Sequence, residues 1–264
     1  MLTKITDIVR EAGKLIINAD DMQITSKEGA FNYVTKYDLM VQEFLYKRLK
    51  EVLPGAKFIG EEDNNGPMKA GDGYFFIIDP IDGTSNFICD YKASVISVAL
   101  AHDGELVLGV VYNPYMDEMF YAEKGKGAYL NGKRLNIRDR SLSEGILGFS
   151  SSPYNKELRE PVLNLVKELS YHSMDIREIG TAALSICYVA ANRNVMYFAL
   201  TLSPWDYAAA TVIVREAGGE VLTVYGENPD INKKTTLVAS TKTAMKEFLP
   251  VAREQLQGIL DKQG

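Results

Sequence analysis

Histidine, cysteine and tryptophan are scarce in this chain. It has two of the first, two of the second and one of the third in 264 residues. With only His102, His172, Cys89 and Cys187 available, a zinc centre of the usual His/Cys type lacks ligands. The two cysteines stand far apart in apolar surroundings with nothing pointing to secretion, so they read as reduced, buried thiols rather than a disulfide. No run of about 20 apolar residues could cross a bilayer. The stretch MLTKITDIVREAGKLIINADD carries charge throughout, unlike a signal peptide. A cytoplasmic protein without membrane attachment is expected. Positive charge is also short: 29 Lys and Arg face 35 Asp and Glu, giving a net charge of −6 and a pI near 5.2. There is no Lys/Arg-rich patch, and the fifteen tyrosines are not interleaved with basic residues, so nucleic acid is not an expected partner. The same surface repels a phosphate ester unless a cation intervenes.

What is present is an ordinary globular composition, 46% hydrophobic and 24% charged, long enough for one large domain or two packed subdomains. Ile5, Ile8, Val9, Ala12, Leu15 and Ile16 repeat at helical spacing. A second helix begins near Thr35 or Asp38, carries Val41, Phe44, Leu45, Leu49 and Val52 on one side, and ends at Pro54-Gly55. KFIG reads as a short strand opening onto the polar loop EEDNNGP. After YFFII, the stretches ASVISVALAHD, ELVLGVVYNPY, EMFYAEKG and GAYLNGKRL form an antiparallel meander, the last turning at Asn131-Gly132. From about residue 146 short strands (ILGFSS, DIREIG, VMYFAL, EVLTVYG, TTLVAS) alternate with helices near 155–170, 181–192, 205–217 and 242–261. That alternation suggests a second sheet covered by helices, with a seam near 138–146 and the chain divided into residues 1–142 and 143–264.

Four acids end apolar strands or open helices: Glu61, Asp79, Asp82 and Asp206. Each has an ordinary structural explanation; Asp206, for instance, suits the first turn of a helix through its dipole. Asp79-Pro80-Ile81-Asp82 is less easily explained that way. The proline fixes its own φ and extends the residue before it, presenting two carboxylates and a carbonyl at set positions. Hard divalent cations take oxygen ligands of this kind, and Mg²⁺ fits them. Gly83-Thr84-Ser85 then allows a ligand to approach the backbone closely, and first-turn amides bind phosphate oxygens.

GEE at 60–62, DPIDGTSNF at 79–87 and PWDYAAATVIVREAGG at 204–219 resemble the three signatures of the inositol monophosphatase family. VTKYD at 34–38 and IGTAALSIC at 179–187 match it in order and spacing. The similarity spans nearly the whole chain. It implies a mixed α/β (α+β) fold, a layered α/β/α/β/α sandwich in which a largely antiparallel N-terminal sheet with helices packs on a C-terminal α/β sheet. It implies a Mg²⁺-dependent, Li⁺-inhibited phosphatase acting on small phosphomonoesters such as inositol 1-phosphate, with two or three ions per site. Glu61, Asp79 and the Ile81 carbonyl would bind the first metal; Asp79, Asp82 and Asp206 the second; Glu61 and water a third. Glu61, Asp38 and Thr84 are the implied catalytic residues, the last two positioning and activating water. Gly83, Thr84, Ser85, Gly180, Thr181, Ala182 and Asp206 would bind substrate. Thr181 reads equally as a helix cap, Lys27 as either an entrance lysine or a surface one, and Trp205 as a packing residue. Inositol-selective members carry a glutamate where this chain has Ala199, so fructose 1,6-bisphosphatase or dual activity is the alternative. A 3′-phosphoadenosine nucleotide phosphatase and a partner of the transcription machinery rank lower. A homodimer is the family default.

Overall fold

The computed structural model describes residues 1–20, 23–26, 33–63 and 71–257. Helix α1 (Leu2–Ile17) buries Ile5, Ile8, Val9, Ala12 and Ile16. Thr25–Ser26 (β1) and Tyr33–Val34 (β2) form a small antiparallel pair. Helix α2 (Lys36–Val52) starts where Thr35 caps it, its hydroxyl accepting from Tyr37 N–H at 3.1 Å. It ends before Pro54, as its sequence suggests.

The large sheet has seven strands in chain order: β3 (Lys57–Gly60), β4 (Tyr74–Asp82), β5 (Val95–His102), β6 (Glu105–Asn113), β7 (Glu118–Glu123), β8 (Gly127–Leu130) and β9 (Lys133–Leu135). The pair β3–β4 is parallel and the rest antiparallel. Between β4 and β5 lies the short helix α3 (Thr84–Ile88). YFFII is apolar without alternation because both faces of β4 are covered. Phe76 and Ile78 pack towards α1 and α2, while Phe75 and Ile77 pack towards the middle of the molecule.

The second sheet is mixed. It runs β11 (Asp175–Arg177), β10 (Ile146–Phe149), β12 (Asn194–Leu202), β14 (Thr235–Ser240), β13 (Glu220–Leu222). Helices α4 (Lys156–Ser170) and α7 (Lys242–Leu256) cover its outer face, and α5 (Ala182–Ala190) and α6 (Pro204–Glu216) lie between the two sheets. The layers are therefore α/β/α/β/α, the expected sandwich. One apolar cluster binds β4 and β5 to α5, α6, β12 and β14. The expected α7 span reaches 261; residues 258–261 lie outside the described residues.

Close approach of α6 to the large sheet depends on small residues. A Cβ at Gly109 on β6 would stand 2.1 Å from the Ala209 carbonyl oxygen, so only glycine permits this contact. It holds the start of α6, where Asp206 stands, near the end of β4. The thiol expectation needs correction. Both cysteines are free and Cys187 is buried, but Cys89 is exposed. It sits at the C-cap of the five-residue helix α3, where among the described residues its side chain is left open to solvent. Among the described residues no helix is long and apolar enough to cross a membrane.

Candidate active site

Parallel pairing puts the first two acids side by side. Gly60 pairs with Ile78, and the Glu61 N–H donates to the Ile78 carbonyl at 3.1 Å. Glu61 therefore leaves β3 beside Asp79. Residues 79 and 82 would point to opposite faces of a regular strand, since their separation is odd. A bulge prevents this. Asp79 pairs with Ser97 and Asp82 with Val95, so β4 spends three steps where β5 spends two. Pro80, which has no N–H to give a ladder, is tolerated in such an irregularity. Both carboxylates consequently line one cavity, which Glu61, Ile81, Gly83, Thr84 and Asp206 also line.

Each of the three aspartates is held by protein donors. Asp79 Oδ1 accepts from Ile81 N–H at 3.0 Å. Asp82 Oδ2 accepts from the Thr181 hydroxyl at 2.5 Å and Ala183 N–H at 2.7 Å, and Oδ1 from Ala182 N–H at 3.3 Å. Asp82 thus satisfies the orphan amides at the start of α5. Thr181 occupies the N-cap position of that helix, yet its hydroxyl goes to Asp82, so lining the cavity and serving the helix start combine in one residue. Asp206 Oδ2 accepts from Ser203 N–H at 2.7 Å.

Burial and mutual repulsion raise the acids' pKa values. Burial, then the charges of Glu61, Asp82 and Asp206, hold Asp79 well above the usual range. Burial pushes Asp82 up to about 6 against the donors named above. Asp206 is raised well above the usual range by burial and by the charges of Asp82 and Glu61. Acids crowded together so that burial and mutual repulsion raise them suit a cation-binding site. Among the described residues no three His, Cys, Asp or Glu side chains form a ready metal cage. What joins the acids is a shared cavity and mutual repulsion. An all-oxygen, open set fits a hard divalent ion that keeps part of its water.

Asp38 stands one step back from the cavity. It is fully buried and does not line the cavity. Its Oδ2 accepts from Thr35 N–H and the Thr35 hydroxyl at 2.7 and 2.6 Å, while Oδ1 accepts from the Thr84 hydroxyl at 3.3 Å. Thr84 also reaches the Ile81 carbonyl at 3.2 Å. Asp38 therefore meets the cavity through Thr84. Gly83 has φ +90°, and a Cβ there would meet the Gly180 and Ala93 carbonyl oxygens at 3.2 and 3.3 Å. The turn into α3 requires glycine, and Gly83, Thr84 and Ser85 of that turn line the cavity.

Ser85, Gly180 and Ala182 line the cavity as well. Lys27 lies outside the described residues. Trp205 packs beside the central apolar cluster, its carbonyl accepting from the Ser97 hydroxyl at 3.1 Å. Ala199 is fully buried and offers the cavity nothing polar. Sequence reasoning missed the far wall: Ser150, Ser152, Tyr154, Glu178 and Tyr197. The Ser151 N–H donates to Glu178 at 2.7 Å, and Tyr154 shares a side-chain hydrogen bond with Ser85. SSSPYN carries no periodicity, so only the Ser/Pro turn composition marked it.

The profile of the inositol monophosphatase family matches residues 1–257. An inositol-1-monophosphatase of Bacillus subtilis is 33% identical over 251 residues, covering 91% of this chain and 93% of that protein. The Nus factor SuhB of Vibrio cholerae is 33% identical, covering 93% and 92%. A solved Thermotoga maritima IMPase superposes with a TM-score of 0.84 at 30% identity, covering 96% of both chains.

Proposed function

The chain belongs to the inositol monophosphatase family, whose members are metal-dependent, and from that premise we propose that it hydrolyses small phosphomonoesters, inositol 1-phosphate foremost, with Mg²⁺. The observation that carries the reading is the meeting of Glu61, Asp79, Asp82 and Asp206 on one cavity next to the amide turn at Gly83. Glu61, Asp79 and the Ile81 carbonyl would hold one ion and Asp79, Asp82 and Asp206 a second, with a third weaker site at Glu61. Bound there, such ions neutralise phosphate charge and acidify water.

The chain's own groups do the remainder. The Gly83 and Thr84 amides, with Ser85, hold the phosphate oxygens. The Thr84 hydroxyl, fixed between Asp38 and the Ile81 carbonyl, orients the attacking water, and the proton that water releases passes towards the Thr84–Asp38 pair. The water oxygen bonds to phosphorus, the ester P–O bond breaks, and the departing alcohol oxygen takes a proton from solvent water. Gly180, Thr181 and Ala182 border the alcohol side. In this reading residues 1–142 supply most ligands and residues 143–264 supply Asp206 and the pocket edge. The protein is taken as a cytoplasmic, lithium-sensitive homodimer.

A second reading is dual activity on fructose 1,6-bisphosphate. Ala199 favours it, since a site lacking one hydrogen-bond partner discriminates less among polyols. A transcription role, carried by the name of the Vibrio relative, draws little support from a chain of net charge −6. Phosphate release from inositol 1-phosphate and fructose 1,6-bisphosphate, with and without Mg²⁺, tests the proposal. Metal-dependent turnover of the first, at a kcat/KM at least equal to that of the second, is expected. Absence of release from both would overturn it.

A further inference from the structure

One face of α2 reaches the site twice. Asp38, Gln42 and Tyr46 recur every four residues and so lie along a single ridge. Asp38 meets Thr84, as described. Gln42 and Tyr46 both meet Asp63, two residues past Glu61. The Tyr46 hydroxyl donates to Asp63 Oδ2 at 2.6 Å, the Gly60 N–H donates to the same oxygen at 2.8 Å, and the Gln42 amide donates to Oδ1 at 3.1 Å. The Glu62 N–H then donates to Gln42 Oε1 at 3.2 Å, and the Asp63 N–H to the Gly60 carbonyl at 3.2 Å. Burial and the contact with Asp63 push the Tyr46 hydroxyl far above its usual pKa, so it stays a donor. The turn is pressed onto α2: a Cβ at Gly60 would stand 2.2 Å from Gln42 Oε1 and 2.3 Å from the Tyr46 oxygen.

We infer that Asp63 is a positioning residue for Glu61: with Gln42 and Tyr46 it fixes the Gly60–Asp63 turn on the α2 ridge that also sets Thr84, and so holds the Glu61 carboxylate where an ion meets it. The inference rests on the reading of Glu61 as a metal ligand. A carboxylate is needed at 63 because all three of its partners are donors and it only accepts. An asparagine leaves one amide N–H facing a donor. Rotating Gln42 to relieve that loses the Glu62 N–H.

The test uses the full chain. The Mg²⁺ concentration for half-maximal phosphate release is measured alongside the Mg²⁺ concentration that half-saturates the rise in Tm. Partners that orient a metal ligand typically change metal affinity by about 10–100-fold. Asp63→Asn should therefore raise both midpoints by about tenfold, with kcat recovered at saturating Mg²⁺ and KM for the ester unmoved. Adding Gln42→Glu restores an acceptor for the new amide at unchanged total charge, and should return both midpoints most of the way. Tyr46→Phe should shift them less, in the same direction, and serves if Asp63→Asn does not fold. Glu61→Gln is the reference. If it shifts the midpoints and the Asp63 and Tyr46 variants lower only the metal-free Tm, Asp63 is merely structural and the inference falls alone. If Glu61→Gln leaves the midpoints unmoved, the assignment of Glu61 falls and takes the inference with it.

Discussion

The Thr181 hydroxyl donates to Asp82 Oδ2 at 2.5 Å across 99 positions of sequence. This contact ties the bulged end of β4 to the start of α5. It makes Asp82 at once a cap for that helix and a member of the acid cluster.

Those two tasks separate by substitution. Asp82→Asn keeps an acceptor for Thr181 and Ala183, gives up only the long 3.3 Å bond from Ala182, and removes a charge from a repelling group. Metal-free protein should hold or gain Tm, while turnover falls by more than the roughly 10–100-fold typical of residues that only orient ligands. Asp82→Ala should lose turnover equally, and leaves the Thr181, Ala182 and Ala183 donors unpaired, a loss of about 1–3 kcal/mol against the relief of repulsion. Thermal melts in chelator beside a phosphate-release assay read both. Near-normal turnover of either variant at saturating Mg²⁺ would sink the ligand assignment.

The acid cluster also sets a pH trend. Asp79, Asp82 and Asp206 are raised in the folded protein, so the native state holds protons that the unfolded chain releases. Stability is then greatest below the unfolded pKa and declines as pH rises. For Asp82 the window runs from 3.8 to about 6. Asp79 and Asp206 act in the same direction. Surface acids such as Asp139, lowered by the Thr243 N–H and hydroxyl, act oppositely, but only around and below about pH 4. Metal-free Tm should therefore fall as pH rises from about 4 to about 6, and saturating Mg²⁺ should flatten the fall. A Tm that rose over that interval in chelator would contradict the repulsion.

Thr84 and Asp38 should part company. Thr84→Ser keeps the hydroxyl between Asp38 and the Ile81 carbonyl and should retain most activity. Thr84→Ala should cost about 10²–10⁴-fold in kcat if the hydroxyl serves proton transfer, with little change in Tm. Asp38→Asn should lower both, since Asp38 also accepts from Thr35 at the head of α2; loss of such a cap costs about 1 kcal/mol. Equal activity in Thr84→Ala and Thr84→Ser would remove the hydroxyl from the mechanism.

Gly83→Ala should be damaging out of proportion to its size. Its φ of +90° disfavours any side chain, and the new Cβ presses on the Gly180 and Ala93 carbonyls. A left-handed residue costs about 1–2 kcal/mol, and shifting this turn displaces the amides proposed to hold phosphate. The expected result is a lower Tm with a raised KM. Unchanged KM would mean the turn does not contact the ester.

Much of the fold was legible because its signals are local. The burial of Ile5, Val9, Ala12 and Ile16 follows from helical spacing alone, and the hairpin at Asn131-Gly132 follows from two residues. The five C-terminal strands lie where the apolar runs stand. Cys89 was misjudged because its neighbours in sequence are apolar, while exposure depends on whether another layer covers α3. Ser152, Tyr154 and Glu178 were invisible because a loop wall has no period and gains its meaning from what it faces.

The sequence by itself determined which segments become helix or strand and which residue types can bind an ion, since hydrogen-bond spacing and side-chain chemistry act over a few residues. Only the tertiary structure decided that the bulge turns Asp79 and Asp82 to one cavity, that parallel pairing sets Glu61 beside Asp79, that Thr181 donates to Asp82, and that Asp38 accepts from Thr84. Those outcomes depend on strand register and layer packing, which sum many weak contacts between parts of the chain remote in sequence.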